Sequence, residues 1–130
     1  MTLRTLRILT ASEYAALDTE PEVLRMANDR DAEDVAFDRV RVIELEFPAF
    51  TDGRAYSQAW ALRRRGFTGE IRAVGAVLID QLLLMQRSGF SSAVLRDDQN
   101  PAHAQRQFDR FAAFYQGNAA GGQPRFRSAA

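Results

Sequence analysis

Apolar and polar positions divide the chain into short segments of changing period. Arg41 to Phe47 gives the strongest strand signal. There Val42, Ile43, Leu45 and Phe47 stand among Glu44 and Glu46 in mixed alternation, as in a strand with both faces partly covered. Pro48 and the residues after it break the pattern. Thr51 or Asp52 then caps a helix over about Gly53 to Arg65. Tyr56, Ala59, Trp60 and Leu62 form its expected apolar stripe, Arg63-Arg64-Arg65 its solvated end, and Gly66 its stop. Glu70 to Gly75 reads as a second strand. A helix from Ala76 or Val77 to Arg87 follows, ended by Gly89. Its apolar residues go most of the way round, which predicts deep burial or contact with another subunit. Ser92 to Leu95 reads as a third strand. Asn100-Pro101 opens a helix to about Gln116, with Phe108, Phe111 and Tyr115 on one face.

Ahead of Arg41 the signals are weaker. Leu3 to Leu9 and Val23 to Met26 read as short strands, Ser12 as the cap of a helical turn or two, Glu20-Pro21 as a breaker, and Asp31 as the cap of a short helix near Ala32 to Phe37. From Arg41 onward the order is strand then helix, three times, with short links. That repeat implies a parallel sheet with right-handed crossovers. The expected fold is α/β: a single domain with a small parallel sheet built from repeated βα units, flavodoxin-like or partial-barrel-like. It divides into an irregular N-terminal part over 1–39, a βαβαβα core over 40–116 and a loose tail over 117–130. All three strand ends then share one edge, where such sheets bind ligands.

Composition narrows the chemistry. The chain of 130 residues suits one domain, and its 46% apolar content is ordinary for a globular fold. Net charge is zero, which gives no electrostatic case for nucleic acid. All 17 basic residues are arginine, so lysine Schiff bases and a lysine-dependent phosphate loop are excluded. Cysteine is absent, which excludes thiol nucleophiles, disulfides and thiolate metal sites. No apolar run is long enough for a membrane span, and Arg4 and Arg7 interrupt the N-terminal segment too early for a secretory signal. The expected location is the cytoplasm.

The turn Thr51-Asp52-Gly53-Arg54 holds the densest candidate chemistry. Free N–H groups at a helix start attract anions, Gly53 lets a ligand approach the backbone, and Arg54 offers a planar fork. An ordinary N-cap, with Arg54 paired to a nearby acid, is the competing reading. Asp80 and Gln81 lie in the apolar second helix, where a carboxylate is expected to be paired or functional, with Arg54 or Arg72 as its partner. The candidate catalytic residues are Asp52, Arg54, Tyr56 and Asp80. The candidate ligand-binding residues are Thr51, Asp52, Gly53, Arg54, Ser57, Arg72, Gly75 and Gln81. Neither a metal nor a cofactor is expected: His103 is the only histidine, it reads as a surface residue, and no dinucleotide, Walker, nucleophile-elbow or zinc motif occurs.

A longer string carries a resemblance. Phe47-Pro48-x-Phe50-x-Asp52-Gly53-Arg54-x-Tyr56-Ser57, Leu62-Arg63, Gly69-Glu70-x-Arg72-Ala73-x-Gly75-x-Val77-Leu78-x-Asp80-Gln81-Leu82 and Gly89-Phe90 resemble the bacterial domain of unknown function 934 family. The match is strong from Arg41 to Leu95 and looser outside. Members carry an oxidoreductase label without an established activity, and their genes tend to lie beside those of sulfite or nitrite reductase. The resemblance therefore implies an accessory role in sulfate and sulfite assimilation. That role would be exercised by protein–protein interaction with sulfite or nitrite reductase or another sulfur-assimilation protein, or in a homo-oligomer. The alternative is a small anion-binding enzyme or oxidoreductase using an Asp/Arg site at the C-terminal edge of the sheet. One departure stands out: Ala76 occupies a position where the family pattern has aspartate. If that carboxylate serves an active site, the activity is lost here; if it caps a helix, its loss costs about 1 kcal/mol.

Overall fold

The protein is described by a computed structural model covering residues 6–17, 22–49 and 51–110. Five strands pair into one all-parallel sheet: β1 (Arg7–Leu9), β2 (Val23–Met26), β3 (Val42–Phe47), β4 (Glu70–Gly75) and β5 (Ser92–Val94). Their order across the sheet is β1-β5-β4-β3-β2. The α/β expectation holds, and β4 has the limits read from the sequence. β2 has its expected limits too, β1 falls within the expected Leu3 to Leu9 strand, and both lie at the edges of the sheet, in the part expected to be irregular, 1–39.

Strand alternation sorts the side chains. Ile43, Leu45 and Phe47 of β3, Ile71 and Ala73 of β4 and Ala93 of β5 enter one buried core. The helices α2 (Arg54–Arg64), α3 (Leu82–Ser88) and α4 (residues 101–110) cover it with Ala55, Ala59 and Leu62, with Leu82 and Met85, and with Ala104 and Phe108. The alternate positions Glu44, Arg72 and Ser92 face the other side, where Tyr14 of the short helix α1 (Ala11–Ala15) reaches Glu44 and Arg72.

Winding explains why the faces differ. β2, β3, β4 and β5 follow one another across the sheet, so right-handed crossovers carry their connections to one face. The β1-to-β2 connection runs the opposite way, from edge to edge, and the same handedness sends it to the other face, where α1 lies. The strand succession is that of a barrel opened between β1 and β2. Helices on both faces give it the flavodoxin-like character.

Several local expectations are corrected. Thr10, not Ser12, caps α1: its hydroxyl accepts the Glu13 N–H while Glu13 accepts the Thr10 N–H. Trp60 is 56% exposed, because the inward stripe of α2 runs through Ala55, Gln58, Ala59 and Leu62. The helix after β4 starts only at Leu82, preceded by a 3-10 turn, Ile79–Gln81. Hydrogen bonds from Ala76 N–H to the Phe47 carbonyl and from Arg96 N–H to the Val77 carbonyl keep residues 76–78 tied to neighbouring strand ends. The arginine triplet is not simply solvated. Arg63 donates to the carbonyls of Phe67, Gly69 and Gly89, and Arg65 to those of Ala32 and Val35. Gly89 ends α3 at φ 116°, as expected. Phe50, Phe111, Tyr115 and the 117–130 tail lie outside the described residues.

Candidate functional site

The turn after β3 and the loop after β2 meet at the carboxyl edge of the sheet. Asp52 joins them. Its Oδ1 accepts the Arg54 N–H at 3.0 Å and Arg54 Nε at 3.2 Å, and its Oδ2 accepts Arg54 Nη2 and Asn28 Nδ2. Gln58 Nε2 clamps the same loop through the carbonyls of Ala27 and Arg30. Gly53 takes the N-cap position, while Asp52 serves the first helical N–H from one residue further back. Beside α2 lies a cleft of about 300 Å³ whose lining includes Asn28, Arg30, Arg54, Ser57 and Gln58. Arg54 keeps 64% of its side chain exposed despite its ion pair. Thr51 lies exposed in the preceding turn.

The remaining candidates do not gather there. Tyr56 packs edge-on against Phe47 at 5.1 Å and reaches Phe90 at 6.4 Å; its hydroxyl is buried without a hydrogen-bond partner among the described residues, and that burial raises its pKa. Gly75 has φ 98°, and a Cβ there would stand 2.5 Å from the Phe47 carbonyl oxygen, so glycine serves close strand approach. Gln81 accepts the Leu78 N–H inside the 3-10 turn. Asp80 is exposed and makes no ion pair among the described residues. Its expected pairing with Arg54 or Arg72 is therefore corrected. The late helix start leaves Asp80 in solvent, and both arginines hold other carboxylates.

Arg72 belongs to a charge row that sequence reasoning missed. Arg25, Glu44, Arg72, Ser92 and Arg7 are successive register partners across all five strands. Arg72, 1% exposed, donates to Glu44 at 2.9 Å and to Glu70 at 3.0 Å. Arg25 closes the far side of Glu44 at 3.0 Å, and the Tyr14 hydroxyl donates to Glu44 at 2.9 Å. Ser92 donates to Glu70 at 2.6 Å, and Arg7 stands 3.6 Å away. The available signal was a charged residue at the centre of each of three apolar strands. The row is ion-paired throughout its buried part, so it reads as architecture rather than as a reacting site.

Glu70, Asp52 and Asp98 make stability sensitive to acid. Burial pushes the Glu70 carboxyl up, but the Ser92 hydroxyl and the Arg72 guanidinium outweigh it and leave it below its ordinary 4.5. The Arg54 backbone N–H and guanidinium lower Asp52, and bonding to Arg96 lowers Asp98 to about 2. A depressed carboxyl binds its proton more readily in the unfolded chain. Its contribution is therefore complete above the unfolded pKa and is lost as pH falls toward the folded one. Urea unfolding at a series of pH values should show stability declining between about pH 4.5 and 2. Glu70→Gln should remove part of that slope; an unchanged slope would contradict this role for Glu70.

Two further hollows lie elsewhere. One, about 740 Å³, opens at the amino edge of the sheet between Phe37, Val40, Phe67 and Glu70. The other, about 330 Å³, lies at the carboxyl ends of β1 and β5. Among the described residues no group of three or more histidines or carboxylates is placed to hold a metal, and no helix is long and apolar enough to cross a membrane. His103 is exposed, with its N–H on Asn100.

Fold and rim together define an α/β protein with an open parallel sheet and clefts along its carboxyl edge. The chain belongs to a family described as bacterial protein of unknown function (DUF934), which it matches over residues 23–126. Searches among curated proteins and among solved structures gave no match.

Proposed function

We propose that the protein is an accessory component of assimilatory sulfate or sulfite reduction that acts by binding a protein partner, sulfite or nitrite reductase. The observation that supports a binding role is Trp60. It stands 56% exposed on α2, with the Arg64 guanidinium 4.6 Å from its ring centroid. Leu84, 52% exposed, stands on α3, which packs beside α2. Tryptophan and arginine are the residues that most often anchor interfaces. The sulfur assignment rests on the family resemblance alone.

Analytical ultracentrifugation of the chain with purified sulfite reductase tests this reading. A stable complex is expected, weakened roughly tenfold or more in Trp60→Ala; Trp60 is a surface residue, so the variant should fold. A chain that sediments alone, or only as a homo-oligomer, would contradict it. The second reading is an anion-binding enzyme or oxidoreductase built on Asp52 and Arg54, favoured by the exposed guanidinium beside Ser57. A melting temperature raised by sulfate or sulfite in the wild type, but not in Arg54→Ala, would favour it instead.

A further inference from the structure

β1 and β5 lie side by side, yet the chain leaves them toward opposite faces, to α1 from one and to α4 from the other. Loops that part in this way leave a gap between them, which is why ligands of open α/β sheets collect at such points. The gap here is the crevice of about 330 Å³, walled by Thr10 and Ser12 on one side and by Leu95, Arg96, Asp97 and Pro101 on the other. It lies at a different strand pair from the Arg54 cleft, and none of its lining residues belongs to that cleft. Thr10 and Ser12 also fall outside the segment that matches the family.

The crevice pairs a fixed cation with a carboxylate. Arg96 Nε and Nη2 each bond to Asp98 at 2.7 Å, which pins the guanidinium while its side chain stays 43% exposed. Nη1 lies outside that fork and makes no hydrogen bond among the described residues. Asp98 occupies only Nε and Nη2 of Arg96 and leaves Nη1 to a ligand, and Asp97 is exposed and makes no ion pair among the described residues. A simple anion would meet Asp97 as a like charge, and a simple cation would meet the Arg96 guanidinium as one. Leu95 and Pro101 add an apolar wall. The volume is at the small end of ligand sites.

We propose that this crevice binds a small zwitterion of the α-amino acid class. Its carboxylate meets Arg96 and the Ser12 hydroxyl, its ammonium meets Asp97, and its side chain lies against Leu95 and Pro101.

Titration of the full chain with single amino acids, followed by 15N–1H correlation NMR, tests the assignment. At millimolar concentration at least one amino acid should shift the amide signals of residues 10–12 and 95–99. Its carboxamide and its N-acetyl derivative, each lacking one charge, should bind about tenfold more weakly or worse. Arg96→Gln and Asp97→Asn should each weaken binding by a similar factor. Because altering Arg96 also frees Asp98, Ser12→Trp serves as a second variant that fills the crevice and leaves both charges in place; it should abolish the shifts. Three results would overturn the proposal: no shifts with any amino acid, equal binding of the masked derivatives, or shifts confined to the Arg54 cleft.

Discussion

Arg72→Ala should destabilise the fold by about 3–5 kcal/mol, the cost typical of removing one partner from a buried ion pair. The guanidinium bridges Glu44 and Glu70 beneath the Tyr14 ring, whose centroid lies 5.7 Å away. Without it, Glu44 keeps Arg25 and the Tyr14 hydroxyl, while Glu70 keeps Ser92 and a distant Arg7. Glu44 would then be a buried carboxylate held from one side only. Chemical denaturation of wild type and variant reads the difference directly. The double variant Glu44→Leu, Arg72→Met is the control. Removing both charges together should recover most of the loss, because an apolar pair of similar size needs no desolvation. A double variant as unstable as the single one would mean that the row's shape matters more than its charge balance.

Phe47→Ala should cost about 3–5 kcal/mol by a different route, since it empties a packed site. Phe47 is fully buried at the carboxyl end of β3, where its ring contacts Tyr56 at 5.1 Å and Phe90 at 5.8 Å. Those contacts hold the first turn of α2 and the entry to β5 against the strand that carries the rim. The cavity would also loosen Tyr56, whose hydroxyl is buried without a partner among the described residues. The measurement is again denaturant unfolding, with Phe47→Leu as the conservative comparison. A loss below about 1 kcal/mol would mean that the aromatic cluster collapses easily and contributes little.

What could be read in advance was what local period and glycine placement decide. β3, β4 and α2 announce themselves because alternation, helical spacing and Gly66 agree over a dozen residues. β1 and β2, three and four residues long, carry weaker signals, yet Val23–Met26 has the limits expected and Arg7–Leu9 falls within the expected Leu3 to Leu9 strand. Their places at the two edges follow from winding rather than from local sequence. The late start of α3 depends on bonds to Phe47 and Arg96, which are distant in the chain. Asp52, Arg54 and Ser57 were legible as one turn, and they do share a rim. Arg72 was legible as a charged residue but not as a buried one, since its face is known only once register aligns it with Glu44. Trp60 falls in the expected apolar stripe by residue type, although its angle on the helix differs from that of the buried Ala55, Ala59 and Leu62.

The zwitterion crevice, and the winding that sends α1 to one face and α4 to the other, depend on β1 lying parallel to β5. Interstrand contacts in a 15N-edited NOESY spectrum test this most directly. They should link Arg7 with Ser92, Ile8 with Ala93 and Leu9 with Val94, with the Leu95 amide hydrogen protected by the Leu9 carbonyl. Contacts from β1 to Val23–Met26 instead, or an antiparallel pattern against β5, would contradict it.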